Sequence, residues 1–221
     1  MHTPTRRTLL AAGAGLALTA CTRERQSPDG KGDPYVSPSG KEVRAAEARR
    51  GKPGRTRTHR LTAAPARVAL DGGTTVGTWT YGEELPGREL RVTAGDTLAL
   101  TLANRLPRAT SLHWHGLALR NDMDGVPHVT QRPVPAGGTF DYRFTVPHPG
   151  TYWFHPHTGV QLDRGLYAPL IVDDPKEPLS YDREWVVVLD DWVDGVQGST
   201  PDGVLAELRK GMGGGGHGAH T

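Results

Sequence analysis

Cysteine is almost missing from this 221-residue chain. Cys21 stands alone, so no disulfide can form within one molecule. Charge of one sign is missing as well. Lys and Arg number 26 against 24 Asp and Glu, a formal net charge of +2, and nothing in that balance calls for nucleic acid as a partner. Long apolar runs are absent. The N-terminal one, Leu9 to Ala20, falls short of the ~20 residues that span a bilayer. Helical periodicities are few. What the chain has in quantity is Gly (29) and Pro (18), which fits an all-β domain with loose ends. A β-domain of about 130 residues can bury a full core without covalent staples.

The ends read as targeting and tether. Thr5-Arg6-Arg7-Thr8-Leu9-Leu10 resembles a twin-arginine export signal, and Leu18-Thr19-Ala20-Cys21 looks like a bacterial lipobox. Residues 1–21 are therefore expected to be a lipoprotein signal, with cleavage before Cys21 and a lipid on its thiol. That places the protein outside the cytoplasm, anchored to the outer face of the cell membrane, or in the periplasmic or extracellular space. A simple signal peptide with an incidental Cys is the alternative. Losing Arg6 and Arg7 leaves the exported chain formally neutral. Residues 22–60 are polar and charged, and read as a disordered linker. Within it, Glu42 to Arg50 holds helix formers, but its composition reads as a solvated charged stretch.

From Leu61 to Trp192 the pattern is strand-like. Arg67–Leu70, Thr75–Tyr81, Glu89–Val92, Thr97–Leu102, Thr110–His115, Thr139–Val146, Thr151–His155, Gly165–Asp173 and Glu184–Leu189 make about nine strands, separated by turn residues. Arg120 to Pro135 is a loop built on Asn121-Asp122, Asp124-Gly125 and Pro127. Short strands at this spacing predict a Greek-key β-sandwich. Residues 193–221 follow as a short helix, capped by Thr200 with Pro201 first and ending near Arg209, and then a Gly/His-rich tail.

The chemistry concentrates between Ser111 and His157. His113-Trp114-His115-Gly116 opens that stretch and His155-Pro156-His157 closes it. Side chains at i and i+2 of a strand share a face, so His113 and His115 project together while Trp114 turns to the opposite layer. His155 and His157 do the same if Pro156 sits at a strand end. If the two strands are neighbours, four imidazoles converge, a donor set suited to Cu, Zn, Fe or Ni.

Ser111-Leu-His113-Trp-His115-Gly116, Asp124-Gly-Val-Pro127 and Gly150-Thr-Tyr-Trp-Phe-His155-Pro-His157 together resemble the first cupredoxin domain of the laccase-like multicopper oxidases. The likeness covers roughly Leu61 to Trp192. It implies a cupredoxin-like fold and copper. By that resemblance His113 is a ligand of the type 2 copper, and His115, His155 and His157 are ligands of the type 3 pair. It also places an acidic residue, Asp124, beside the type 2 copper, able to orient a water or relay protons; a plain Asp-Gly turn is the alternative. The family completes its trinuclear cluster with four further His from its last domain, where a Cys binds the type 1 blue copper. This sequence holds no further His-x-His motif, and its one Cys lies in the signal, so the type 1 site is absent from this chain. A chain closing in a Gly-rich stretch reads as a fragment or truncated product of a longer oxidase.

Three readings stay open. The chain is the N-terminal copper-binding domain of an oxidase that reduces O2 to water while oxidising a donor, a phenol or a low-valent metal ion, with C-terminal cupredoxin domains completing the enzyme. Or it is a non-catalytic extracytoplasmic copper-binding module. Or two copies bring their His sets together on a symmetry axis. Trp114, Trp153 and Tyr152 read as core or supporting packing, and His128 and His148 as solvated loop residues. His217, His220 and Met212 lie in the tail, where weak copper capture competes with a plain linker. His59 falls in the tether and carries no role.

Overall fold

The computed structural model describes residues 35–37, 39–49, 53–70 and 73–211. The signal at 1–21 with Cys21, the linker up to residue 34, and the tail with Met212, His217 and His220 lie outside the described residues. Among the described residues no helix is long and apolar enough to cross a membrane.

In chain order the elements are α1 (Lys41–Ala48), β1 (Thr56–Ala69), β2 (Thr75–Tyr81), β3 (Leu90–Thr93), β4 (Thr97–Asn104), β5 (His113–His115), β6 (Thr139–Thr145), β7 (Gly150–His155), β8 (Ala168–Asp173) and α2 (Pro201–Gly211). Single 3-10 turns lie at Asn121–Met123 and Leu162–Arg164. The strands form two four-stranded sheets, ordered β2-β1-β4-β6 and β3-β8-β7-β5. β1 runs parallel to β4 and β3 parallel to β8, and the remaining pairs are antiparallel. This is the expected all-β, cupredoxin-like sandwich.

Its core follows from the period-2 pattern. β4 turns Leu98, Leu100 and Leu102 inward, and β6 adds Tyr142 and Phe144. From the facing sheet come Leu90, Val92, Trp114, Phe154, Leu170 and Val172, all buried. Burial of each such side chain stabilises the fold by roughly 1.5–3 kcal/mol.

The domain begins earlier than Leu61. β1 pairs with β4 from Thr56↔Thr97 onward, and the buried Asp96 carboxylate holds the Arg55 N–H and the Arg57 guanidinium, each at 2.8 Å. His59 therefore lies in a strand and not in a tether. Lys41–Ala48 is a helix and not a solvated coil. Its Val43 is buried, and Glu47 reaches Arg120 at 3.8 Å, so tertiary contact decides what charge composition disfavours.

The strand expected at Glu184–Leu189 joins neither sheet. Alternation supplies a two-faced segment, but a strand also needs a neighbouring edge, and here Trp185 and Leu189 stay 82% and 90% exposed. Side chains tie the segment down, Arg91 donating to Glu184 and the Tyr167 hydroxyl to Asp190. Trp192 does not end the packed unit. Asp194 is buried beneath Thr78, whose hydroxyl donates to it at 2.7 Å, and Arg164 donates to the same carboxylate at 3.2 Å. α2 starts as the sequence predicts, with the Gly203 N–H donating to Thr200 Oγ1 at 3.1 Å.

Candidate metal centre

β5 and β7 are neighbours, and their register sets His113 opposite His155, Trp114 opposite Phe154 and His115 opposite Trp153. One face of this pair is therefore His113, His115, Trp153 and His155. The other face, Trp114 and Phe154, plugs the core. The sequence anticipates both faces, but the register is a fact of the structure, because the long intervening chain, residues 116–149, leaves it open.

Ligand-capable nitrogens of His113, His155 and His157 all lie within 4.8 Å of one another. His115 joins them through His155, with its Nδ1 3.2 Å from His155 Nε2. All four predicted residues are thus brought together. His157 follows β7, and its backbone N–H donates to Ser111 Oγ at 3.3 Å, which fixes the turn after Pro156. Ser111 is a contributor that sequence reading passed over.

Backbone carbonyls set two of the tautomers. His113 Nδ1 lies 2.8 Å from the Asp124 carbonyl, so this nitrogen carries the proton and Nε2 keeps its lone pair. His155 Nδ1 lies 3.2 Å from the Pro156 carbonyl with the same result. His115 is the exception, turning Nδ1 toward the cluster. The Asp124 carboxylate is 3.3 Å from His113 Nδ1, so the residue acts through its main chain as well as its side chain. That dual role depends on Gly125, which has φ +79 and whose absent Cβ would lie 1.8 Å from the Leu112 carbonyl oxygen. The same loop is pinned from outside by Arg120, which donates twice to the buried Asp122 carboxylate at 2.9 Å.

The site is electrostatically prepared for neutral rings. Burial, then the proximity of His157, His113 and His115, pulls the His155 pKa down to about 4 against the bond from Pro156. Burial and His113 lower that of His157. A folded-state pKa below the unfolded value of about 6.5 means that the unfolded chain takes up the proton first. The stabilisation is complete above pH ~6.5 and is lost as pH falls toward about 4. The metal-free domain is therefore expected to lose about 2 kcal/mol over that interval, allowing for water on the open side of the site. Urea unfolding at a series of pH values reads this, and a His155→Gln variant should flatten the dependence.

His115 and His157 are exposed, so the imidazole cluster faces outward and is not sealed. His128 and His148 are exposed in loops, as the sequence predicts. Trp153 is not part of the core. It lies on the imidazole face, a placement that its spacing of two from His155 already carries.

A cupredoxin-type sandwich with clustered imidazoles on one sheet defines a class of copper protein, and comparison narrows it. The family model described as multicopper oxidase matches residues 62–177. A multicopper oxidase of Mycobacterium tuberculosis, MmcO, is 50% identical over 205 residues, 92% of this chain and 39% of that protein. Copper resistance protein A of Pseudomonas syringae pv. tomato is 48% identical over 127 residues, 57% of this chain and 20% of its own length. The crystal structure of a multicopper oxidase from Pseudomonas thermotolerans superposes with a TM-score of 0.53 at 43% identity, covering 55% of this chain and 30% of that one. The chain belongs to the multicopper oxidase family. It spans 39% of the length of its Mycobacterium relative.

Proposed function

We propose that this chain supplies half of a trinuclear copper cluster, with His113 as the type 2 ligand and His115, His155 and His157 as type 3 ligands. The supporting observation is the 3.2 Å approach of His115 Nδ1 to His155 Nε2. Two ring nitrogens bonded at about 2.0–2.1 Å to one ion of tetrahedral habit stand about this far apart. The donor set fits copper: four imidazoles, with lone pairs freed on His113 and His155 by their carbonyl partners. Two of the four rings open to solvent, which leaves room for the ligands of a second domain.

Copper bound here would supply one-electron redox chemistry toward O2, driven by a donor such as a phenol or a low-valent metal ion. The chain's own residues hold and tune the site. The Asp124 carbonyl holds the His113 ring, and the role proposed for its carboxylate, 3.3 Å from the same Nδ1, is proton relay. Proton transfer of this kind contributes typically 10²–10⁴-fold to a rate. Export, with a lipid on Cys21, belongs to the same proposal and rests on the signal sequence.

The second reading, a copper-binding module without catalysis, is favoured for the isolated chain by its lack of a thiolate ligand beyond the signal. Copper titration of the purified chain separates the two from an inert sandwich. The expected result is tight Cu(II) binding with the paramagnetic signature of nitrogen ligands, no intense blue absorption and no O2 uptake with a phenolic donor. Failure to retain copper, or unchanged binding after His113, His155 and His157 are all replaced by Ala, would defeat the proposal.

A further inference from the structure

Trp153 is half-buried on β7, between the registers of β5 and β8. β7 alternates Tyr152 and Phe154 toward the core, with Trp153 and His155 away from it. The register puts Trp153 directly across from His115, and the two-residue spacing puts it beside His155 on the same strand. Its indole stacks on the His155 ring at 4.2 Å with 23° between planes, and it lies 4.8 Å from the His115 ring at 31°. The two imidazoles are themselves 5.5 Å apart at 38°. One indole thus backs both rings of the pair whose nitrogens meet at 3.2 Å.

His115 needs such a support. His113 and His155 each lean on a backbone carbonyl, whereas the ring hydrogen bond described for His115 is the one to His155. An exposed imidazole whose one ring hydrogen bond goes to another ring of the same cluster is held loosely about its terminal torsion, which has broad minima. A stacked aromatic surface removes that freedom by blocking rotation out of the plane, and aromatic pairs contribute ≈ 0.5–1.5 kcal/mol beyond their buried area.

We infer that Trp153 is a positioning residue, an aromatic platform that sets the planes of His115 and His155 so that His115 Nδ1 and His155 Nε2 address one ion. The inference deepens the proposed copper site and rests on it for the metal. The platform itself is a property of the metal-free chain. Trp153 touches no reacting atom in this role. It acts through the two rings.

The test uses the whole chain in three forms: wild type, Trp153→Leu, which removes the aromatic face, and Trp153→Phe, which keeps one. The first arm is metal-free. Nitrogen-15 NMR at mildly alkaline pH reads the tautomers of His115 and His155. Wild type and Trp153→Phe are expected to show fixed tautomers, and Trp153→Leu averaged ones. The second arm is Cu(II) binding, followed by electron paramagnetic resonance. Trp153→Leu is expected to bind about ten- to a hundredfold more weakly, with broadened nitrogen hyperfine structure, and Trp153→Phe to recover most of the loss. Thermal melting shows whether each variant keeps its fold, which an outward-facing residue should permit. Unchanged tautomers and affinity in Trp153→Leu overturn the inference. So does a Phe variant as defective as the Leu variant, since that assigns Trp153 to shape alone. Wild-type chain that binds no copper, with the tautomer difference intact, sinks the proposed function and leaves the platform standing.

Discussion

Replacing Gly125 with Ala is expected to destabilise the domain by at least about 3 kcal/mol and to disorder the cluster with it. Two costs combine. At φ +79 the backbone occupies the left-handed region, where a side chain adds roughly 1–2 kcal/mol. The added Cβ would also lie 1.8 Å from the Leu112 carbonyl oxygen and 2.5 Å from its carbon, both backbone atoms that cannot rotate away. Relief requires the loop to lift from β5. The Asp124 carbonyl, one residue earlier, would then leave His113 Nδ1. Chemical denaturation should therefore show a lower midpoint, and imidazole NMR should show His113 with both tautomers. An alanine variant with wild-type stability would mean that Asp124 and Gly125 do not sit as described. Gly137, also at positive φ but with open space where its Cβ would be, is the control, and its alanine variant should lose only the conformational cost.

Trp114→Ala is expected to cost about 3–5 kcal/mol, the range for removing a large buried aromatic. The ring is fully buried and packs edge-on against Tyr142 at 5.7 Å and Phe144 at 5.1 Å, and tilted against Phe154 at 5.5 Å. These contacts join the two sheets at the strand that carries His113 and His115. β5 has only three residues, so it has little backbone pairing to fall back on. Losing the plug loosens the β5–β7 register, and copper affinity should fall together with the melting temperature. Trp114→Phe should recover most of both. A Trp114→Ala chain that melts normally yet fails to bind metal would show that the indole matters to the site by some route other than anchoring the strand.

Two His-x-His pairs separated by strand-like sequence were enough to assign all four imidazoles to common faces, because side-chain alternation is a property of the extended backbone and needs no tertiary information. Asp124 was legible as a residue beside His113, but as a carboxylate. Its carbonyl, at 2.8 Å, is the nearer group to Nδ1. Main-chain orientation in a loop depends on several successive dihedrals, and no residue type announces it. Trp153 reads from sequence as core or supporting packing, and its parity with His155 puts it on the imidazole face, where it supports two of the rings. At Glu184–Leu189 the sequence misleads. Its pattern was genuine, but a strand is a relation between two segments, and no sheet edge meets this one among the described residues.

What the sequence by itself determined is the fold class, the family and the sharing of strand faces by the paired imidazoles, each carried by residue identity and short-range spacing. What only the tertiary structure decided is the geometry: the His113↔His155 register, the carbonyls that choose the tautomers, and the indole behind two of the rings. The physical reason is that identity and alternation are local, whereas register, loop orientation and ring stacking are fixed only when distant segments exclude one another in the packed sandwich.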